Sequence, residues 1–161
     1  MSIWKEYSET IYNLIMNNYS DNYKTKVWKT LKKKIIKVNY IPPHFGSFFS
    51  VKAFNDNKIE ILDHGCGSCI TLSFLVLKGY KNVWGLTENF DNDPEVDIFV
   101  RKVNNFFNLI LEENVTRVLI YNGKSIPFKS NKFDLIYSQQ VFEHVTPDLK
   151  IPFIKEEKRI L

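Results

Sequence analysis

The hydrophobic and polar positions of the first forty residues repeat at helical spacing. Apolar side chains return every three or four residues in two stretches, with polar residues between them. This pattern predicts two amphipathic helices, which would form an N-terminal cap over residues 1–40. Two prolines and a glycine then interrupt it, so residues 41–57 are expected to form a loop. The apolar positions are Trp4, Tyr7, Ile11, Leu14 and Ile15 in the first stretch, and Val27, Trp28, Leu31, Ile35 and Val38 in the second.

From residue 58 onward, short apolar runs alternate with longer stretches of helical character. The short runs predict buried strands, and the stretches between them predict helices. Strands that alternate with helices imply a mainly parallel sheet covered on both faces, so residues 58–161 are expected to form a Rossmann-like α/β domain. The predicted strands are 59–63, 82–86, 117–121 and 133–138, and the predicted helices are 70–77, 96–111 and 149–160.

The fourth predicted strand, 133–138, is left with an apolar edge that no later strand of the sequence covers. Such an edge favours pairing with another strand. Four strands that end in a helix therefore suggest the front part of a longer domain, interrupted before its fifth strand. Pairing at the exposed fourth-strand edge is expected.

The composition is that of an ordinary folded domain. Of 161 residues, 44% are hydrophobic and 25% are charged, which argues against wholesale disorder. No apolar run is long enough to cross a bilayer, and the N-terminus lacks the apolar region of a signal peptide. Two cysteines cannot build the disulfide framework of a secreted domain. We therefore expect a cytoplasmic protein without a membrane partner.

The net charge of +4 is concentrated in one segment, because residues 22–55 contain eight lysines and no acid. A polyanion such as RNA would be attracted to this segment. Amphipathic helices commonly carry solvated lysines, and that is the preferred interpretation. Nucleic-acid binding is therefore not indicated.

Residues 59–67, Ile-Glu-Ile-Leu-Asp-His-Gly-Cys-Gly, run from an apolar strand directly into a turn with two glycines. Glycine lets a backbone approach a ligand closely, and the start of a helix offers unpaired amide groups. Together they predict a site for a nucleotide-like ligand. The segment resembles motif I of the class I S-adenosylmethionine-dependent methyltransferases. The resemblance implies that Asp63, Gly65, Cys66 and Gly67 hold the methionine part of the cofactor, S-adenosyl-L-methionine.

A second block, residues 122–145, contains a Pro-Phe turn, the strand Phe-Asp-Leu-Ile and a closing Glu-His-Val. It resembles the stretch that joins the third and fourth strands in the same family, and it lies at the correct distance from the first motif. The resemblance implies that Asn122 and Gly123 border the adenine, with the Asn122 carbonyl in place of the usual acid. Ser138 and Gln139 would face the cofactor from the carboxyl end of the fourth strand.

Members of this family usually hold the cofactor ribose with an acid at the end of the second strand. Here that place holds Thr87, and Glu88 follows one residue later. Because strand side chains alternate between faces, Glu88 is expected to bind the ribose only if the strand has already ended before it. The implied reaction is attack of an unidentified acceptor on the sulfonium methyl group, with His144 as a candidate base.

Other interpretations remain open. Three departures from the family pattern, at Cys69, Thr87 and Asn122, leave a non-catalytic, truncated or degenerate methyltransferase domain as an alternative. Cys66 and Cys69 also form a Cys-x-x-Cys at the start of a helix, which is typical of a thiol redox protein.

A zinc site at His64, Cys66 and Cys69 lacks an evident fourth ligand, so no metal is predicted. A nicotinamide-binding domain would prefer a third glycine where Ile70 stands.

Overall fold

A computed structural model describes residues 56–161, apart from 68, 78, 90, 91 and 140. The described residues contain four strands and three helices. The predicted helical cap over residues 1–40 and most of the predicted loop over 41–57 lie outside them and stay predictions. In chain order the elements are β1 (Ile61–His64), α1 (Ile70–Leu77), β2 (Val83–Glu88), α2 (Pro94–Leu111), β3 (Val118–Tyr121), β4 (Leu135–Tyr137) and α3 (Lys150–Ile160).

The four strands form one sheet in the order β3-β2-β1-β4, and every neighbouring pair is parallel. At the centre, Asp63 of β1 is in register with Gly85 of β2 and with Tyr137 of β4. The prediction of a Rossmann-like α/β fold with a mainly parallel sheet is confirmed. Because all strands run the same way, their carboxyl ends, and the loops that follow them, meet at one edge of the sheet.

Local sequence signals account for the helix boundaries. Gly79 (φ +90°) closes α1: its amide donates to the carbonyl of Val76, and the amide of Tyr80 donates to the carbonyl of Leu75. This is the glycine-terminated helix end that a left-handed residue permits. Helix α2 begins at Pro94, a position where the missing amide of proline costs nothing, and buries a stripe at helical spacing. The stripe consists of Phe99, Val100, Val103, Phe107 and Leu111.

Side chains of both faces of the sheet are buried. On one face, Gly85 of β2 lacks a side chain where Leu72 of α1 approaches, and a Cβ there would lie 2.4 Å from Leu72 Cδ1. On the other face, buried residues of three strands, the β3–β4 loop and α3 form one cluster. Helices therefore cover both faces, as a parallel sheet requires. The cluster comprises Leu62, Leu86, Tyr121, Ile126, Phe133 and Ile160.

Helix α3 holds the loop between β3 and β4 in place. The guanidinium of Arg159 donates to the carbonyl oxygens of Phe128 (2.7 Å) and Ile126 (3.0 Å), and it pairs with both carboxylate oxygens of Glu156 at 2.8 Å. Glu156 also accepts the amide of Ile126 at 3.0 Å. The loop that starts at the carboxyl end of β3 is thus fixed by charge-assisted hydrogen bonds.

Most strand ends differ from the predictions by one or two residues. Strand β2 runs to Glu88 rather than ending at Leu86, because Thr87 and Glu88 continue the ladder with Ile120 and Tyr121 of β3. Strand β1 runs from Ile61 to His64 instead of covering 59–63.

Among the described residues, β4 pairs with β1 alone, and a partner for its other edge stays a prediction. None of the helices in this part of the chain combines the length and the apolar character that crossing a membrane would require.

Candidate functional site

The turn after β1 is tied to β2 and takes left-handed backbone conformations at both glycines. The amides of Gly65 and Cys66 each donate to the carbonyl of Leu86 at 2.9 Å. Gly65 has φ +84° and Gly67 has φ +46°. A Cβ on Gly65 would lie 2.2 Å from Val141 Cγ2, whereas a Cβ on Gly67 would meet nothing closer than 3.9 Å. Gly65 is therefore required by backbone and packing, and Gly67 opens onto free space.

Cys69, which stands where the family usually has a third glycine, also adopts a glycine-like conformation with φ +56°. Left-handed backbone at a non-glycine residue costs about 1–2 kcal/mol. Its amide donates to the carbonyl of Cys66 at 2.7 Å, and its carbonyl accepts the amide of Ser73 at 2.9 Å, so it joins the turn to α1. Cys69 therefore takes a left-handed backbone conformation of the kind that favours glycine.

The two thiols of this turn are free and buried, with their Sγ atoms 3.6 Å apart. The hydrogen bond from Cys69, together with burial, raises the pKa of the Cys66 thiol well above its ordinary value. A redox-active Cys-x-x-Cys needs the opposite, an accessible thiol with a lowered pKa. The thiol redox alternative is therefore disfavoured. No cluster of metal-ligating side chains is found in the described part of the chain, and His64 has other partners.

A cavity of about 480 Å³ lies at the carboxyl ends of β1, β2 and β3, a size typical of small-molecule sites. Its walls come from the glycine turn, the ends of β2 and β3, the segment between β4 and α3, and α3 itself. Five predicted site residues line it: Gly65, Gly67, Glu88, Gly123 and His144. The other lining residues are Thr87, Val141, Val145, Thr146, Leu149 and Phe153.

Glu88 is the last residue of β2, paired in the ladder with Tyr121 of β3. The sequence predicts that it reaches the cofactor only if the strand has ended before it, but in the structure the strand runs through Glu88. The cavity lies beyond the sheet edge, where the final side chains of both faces meet, so Thr87 and Glu88 both line it. The Tyr121 hydroxyl donates to Glu88 Oε1 at 2.9 Å. Burial and the hydrogen bond to Glu88 raise the pKa of Tyr121 above its ordinary value, which keeps the phenol a donor.

Asp63 lies two residues before the glycine turn and is buried, with 5% of its surface exposed. It does not line the cavity. Burial raises the pKa of its carboxyl from 3.8 to about 7. Burial and the charge of Asp63 raise the pKa of Tyr137, its neighbour in register on β4, to about 12. The strand-end acid is therefore a carboxyl group on the border of ionisation at neutral pH.

At the end of β3, Asn122 and Gly123 have different placements. The Asn122 side-chain oxygen accepts the amides of Lys124 (3.0 Å) and Ser125 (3.2 Å), which uses both of its lone pairs within its own turn. That geometry does not support the expected contact between the Asn122 carbonyl and the adenine. Gly123, with φ +74°, lines the cavity with its backbone.

The predicted residues after β4 are only partly brought to the cavity. Ser138 is exposed, and Gln139 accepts a hydrogen bond from the Tyr137 hydroxyl at 2.5 Å; neither lines the cavity. His144 is exposed and lines it from a turn, its amide bonded to the carbonyl of Val141 at 2.8 Å. It lies before α3, which begins at Lys150.

Sequence reasoning missed the apolar wall of the cavity. Val141, Val145, Leu149 and Phe153 lie in or after the second block, but nothing in their spacing separates cavity walls from core. Thr146 completes the same wall. The available signal was positional: residues that follow a parallel strand's carboxyl end lie near the ligand crevice.

The all-parallel sheet, with its glycine turn after β1 and its cavity beyond the strand ends, defines a Rossmann-like α/β domain. The family model described as a methyltransferase domain matches residues 62–161, and the chain belongs to this family. Comparison with curated protein sequences finds no match.

Solved structures show the same fold. A protein of Galdieria sulphuraria, described as a proposed sarcosine dimethylglycine methyltransferase, is 20% identical with a TM-score of 0.57, over 89% of this chain and 47% of its own. The [4+2]-cyclase SpnF is 18% identical with a TM-score of 0.53, over 73% of this chain and 40% of its own. At these identities the likeness shows the fold alone, and the chain spans less than half of either protein.

Proposed function

We propose that this chain binds S-adenosyl-L-methionine in the cavity at the carboxyl ends of its strands and serves as a methyltransferase domain for an unidentified acceptor. The observation that supports this most directly is the pairing of Gly67, open to free space, with the Glu88 carboxylate on the wall of the same cavity. A glycine turn suits a ligand that lies against backbone, and a carboxylate suits ribose hydroxyls. Membership of the methyltransferase domain family supports the same cofactor.

The residues present fit this cofactor. Backbone at the glycine turn, from Gly65 to Gly67, would lie along its methionine part, and Glu88 would accept hydrogen bonds from its ribose. Gly123, whose backbone lines the cavity, would border the adenine in place of the occupied Asn122 side chain. The buried carboxyl of Asp63 would lie behind the turn and supply negative charge.

When bound, S-adenosyl-L-methionine supplies an electrophilic methyl group on a sulfonium. The contribution of the protein to such a transfer is mainly positioning and the exclusion of water. The apolar wall of Val141, Val145, Leu149 and Phe153 would exclude water, and the exposed imidazole of His144 would take a proton from an acceptor that must lose one.

Calorimetric titration of the full chain with S-adenosylmethionine and S-adenosylhomocysteine tests cofactor binding. We expect binding with a Kd below about 1 mM. Gly67→Ala is expected to weaken it by about tenfold, because a methyl group would occupy the free space in front of the turn. Gly79→Ala is the matched control: it adds the same methyl group at a positive φ, in open space and away from the cavity. No binding by folded wild-type protein would overturn the assignment.

Methyl transfer needs a separate test, because the [4+2]-cyclase shows that a protein similar in fold carries another activity. The release of S-adenosylhomocysteine should be measured with the full chain against panels of small-molecule, lipid and RNA acceptors. Cofactor binding without turnover on any panel would favour the non-catalytic alternative. His144→Gln is expected to lower turnover, by about a hundredfold where the acceptor must be deprotonated.

A further inference from the structure

A chain of four hydrogen-bonded side chains runs through the domain and ends at the cavity. Glu157 of α3 contacts His64 Nδ1 at 3.0 Å, His64 Nε2 lies 2.5 Å from the Tyr121 hydroxyl, and that hydroxyl donates to Glu88 Oε1 at 2.9 Å. The four residues come from α3, β1, β3 and β2, so these hydrogen bonds link α3 to three strands of the sheet.

The middle of this chain is held by packing. His64 is 1% exposed, and its ring stacks on Phe153 with centroids 4.4 Å apart and planes 10° apart. The same ring meets Tyr121 edge-on at 5.3 Å. A rigid imidazole between two aromatic rings leaves the Tyr121 hydroxyl little freedom, because its oxygen already has a fixed neighbour.

Counting hydrogens shows which group donates at the two hydrogen bonds of Tyr121. The single phenol hydrogen of Tyr121 goes to Glu88, so His64 Nε2 donates to the phenol oxygen, and His64 Nδ1 lies against the Glu157 carboxyl group. The last acceptor is the carboxylate on the cavity wall.

We propose that His64 and Tyr121 are positioning residues that hold the Glu88 carboxylate in the orientation in which it accepts the ribose hydroxyls of the cofactor. This inference rests on the proposed function of the cavity. A glutamate at a strand end has several rotamers, and binding that must select one loses affinity. The bond from Tyr121 fixes that rotamer before the ligand arrives, and His64 fixes Tyr121.

The first test compares Tyr121→Phe with Tyr80→Phe in titrations with S-adenosylhomocysteine. Tyr121→Phe removes only the hydroxyl and is expected to raise the Kd by about tenfold. Tyr80 is also a buried tyrosine, it lies outside the cavity, and Tyr80→Phe should leave the Kd within about twofold. Urea unfolding of both variants reports the structural cost separately. An unchanged Kd for folded Tyr121→Phe would overturn the proposal.

A double-mutant cycle with Glu88→Ala separates positioning from general damage. If Tyr121 acts through Glu88, Tyr121→Phe has little further effect on the Kd once Glu88 is truncated. A loss that persists undiminished in the Glu88→Ala background would show a merely structural role. Failure of wild-type protein to bind S-adenosylhomocysteine would instead overturn the proposed function itself, so the two failures are distinguishable.

Replacement of His64 supplies a rescue experiment that does not depend on the Tyr121 variant folding. The amide of glutamine can donate to the Tyr121 oxygen, and leucine cannot. We expect His64→Leu to weaken binding by about tenfold and His64→Gln to recover most of that loss. Equal affinities for the two folded variants would refute the role of His64.

Discussion

Replacing the buried Asp63 by asparagine is expected to stabilise the domain at neutral and alkaline pH. The side chain is 5% exposed, and burial raises the pKa of its carboxyl from 3.8 to about 7. A carboxyl group in this setting prefers to stay protonated in the folded state, since ionisation takes a charge into a poorly solvated environment. Asparagine keeps the shape and removes the ionisation.

The direction of the pH dependence follows from the protonation equilibria of Asp63 in the folded and unfolded states. The pKa is higher in the folded state, so the folded protein binds the proton more tightly than the unfolded chain does. Below pH 3.8 the group is neutral in both states and has no effect. As the pH rises from there to about 7, the unfolded chain ionises first, and stability is lost. A pKa raised from 3.8 to about 7 corresponds to a loss of about 4 kcal/mol in the free energy of unfolding above pH 7.

Urea unfolding of wild type and Asp63→Asn at about pH 4.5, about pH 6 and about pH 8, which span the titration range of the carboxyl group, measures this cost. The gain in free energy of unfolding should be small in acid and grow to about 2–4 kcal/mol at the highest pH, because interior relaxation reduces the full value. Asp97→Asn, at an exposed position of α2, is the control and should show no such growth. A gain independent of pH, or a loss at the highest pH, would refute the reasoning.

Three further predictions concern the core, the α3 anchor and the thiols. Phe107→Ala, at a fully buried position of α2, should lower the free energy of unfolding by about 3–5 kcal/mol in urea denaturation. The hydrogen bonds from Arg159 lower the pKa of Glu156 from 4.5 to about 2. The pair therefore stabilises the fold above pH 4.5, and this stabilisation is lost as the pH falls towards 2. Glu156→Gln should therefore cost about 1–2 kcal/mol at neutral pH and nothing in strong acid, in pH-dependent urea unfolding. Cys66 and Cys69 should react with a thiol reagent about a hundredfold more slowly in native than in unfolded protein, and prompt native labelling would contradict their burial.

The fold was predictable because parallel strands buried on both faces have short, nearly continuous apolar runs. Helix α1 matches its prediction at both ends, since a glycine turn precedes it and Gly79 closes it. The end of β2 was not predictable, because Thr87 and Glu88 have no strand-like apolar character of their own. Their place in the ladder depends on pairing with β3. That strand follows about thirty residues later, which is roughly the length of one βαβ unit.

The candidate site was most directly predictable where the backbone itself carries the signal, whereas Glu88 and His144 were predicted from the family resemblance. Gly65, Gly67 and Gly123 have positive φ values that favour glycine, so the residue type reveals the conformation. Contacts such as that of His64 with Tyr121 join residues 57 positions apart, and they follow from strand register and from the place of α3. Asn122 illustrates the opposite error: its side chain completes a local turn, which composition alone cannot distinguish from ligand recognition.

The two carboxyl groups at the ends of β1 and β2 have opposite surroundings, and this difference fits a cationic ligand. Glu88 receives a hydrogen bond from Tyr121 at the cavity wall, whereas burial raises the pKa of Asp63, so ionised Asp63 destabilises the free domain. A ligand with positive charge near the glycine turn would favour that ionised form, so that part of the folding cost would be recovered as binding free energy. S-adenosyl-L-methionine carries an ammonium and a sulfonium. Asp63→Asn is therefore expected to stabilise the domain and to weaken cofactor binding together, the trade-off typical of a functional group held in a costly position.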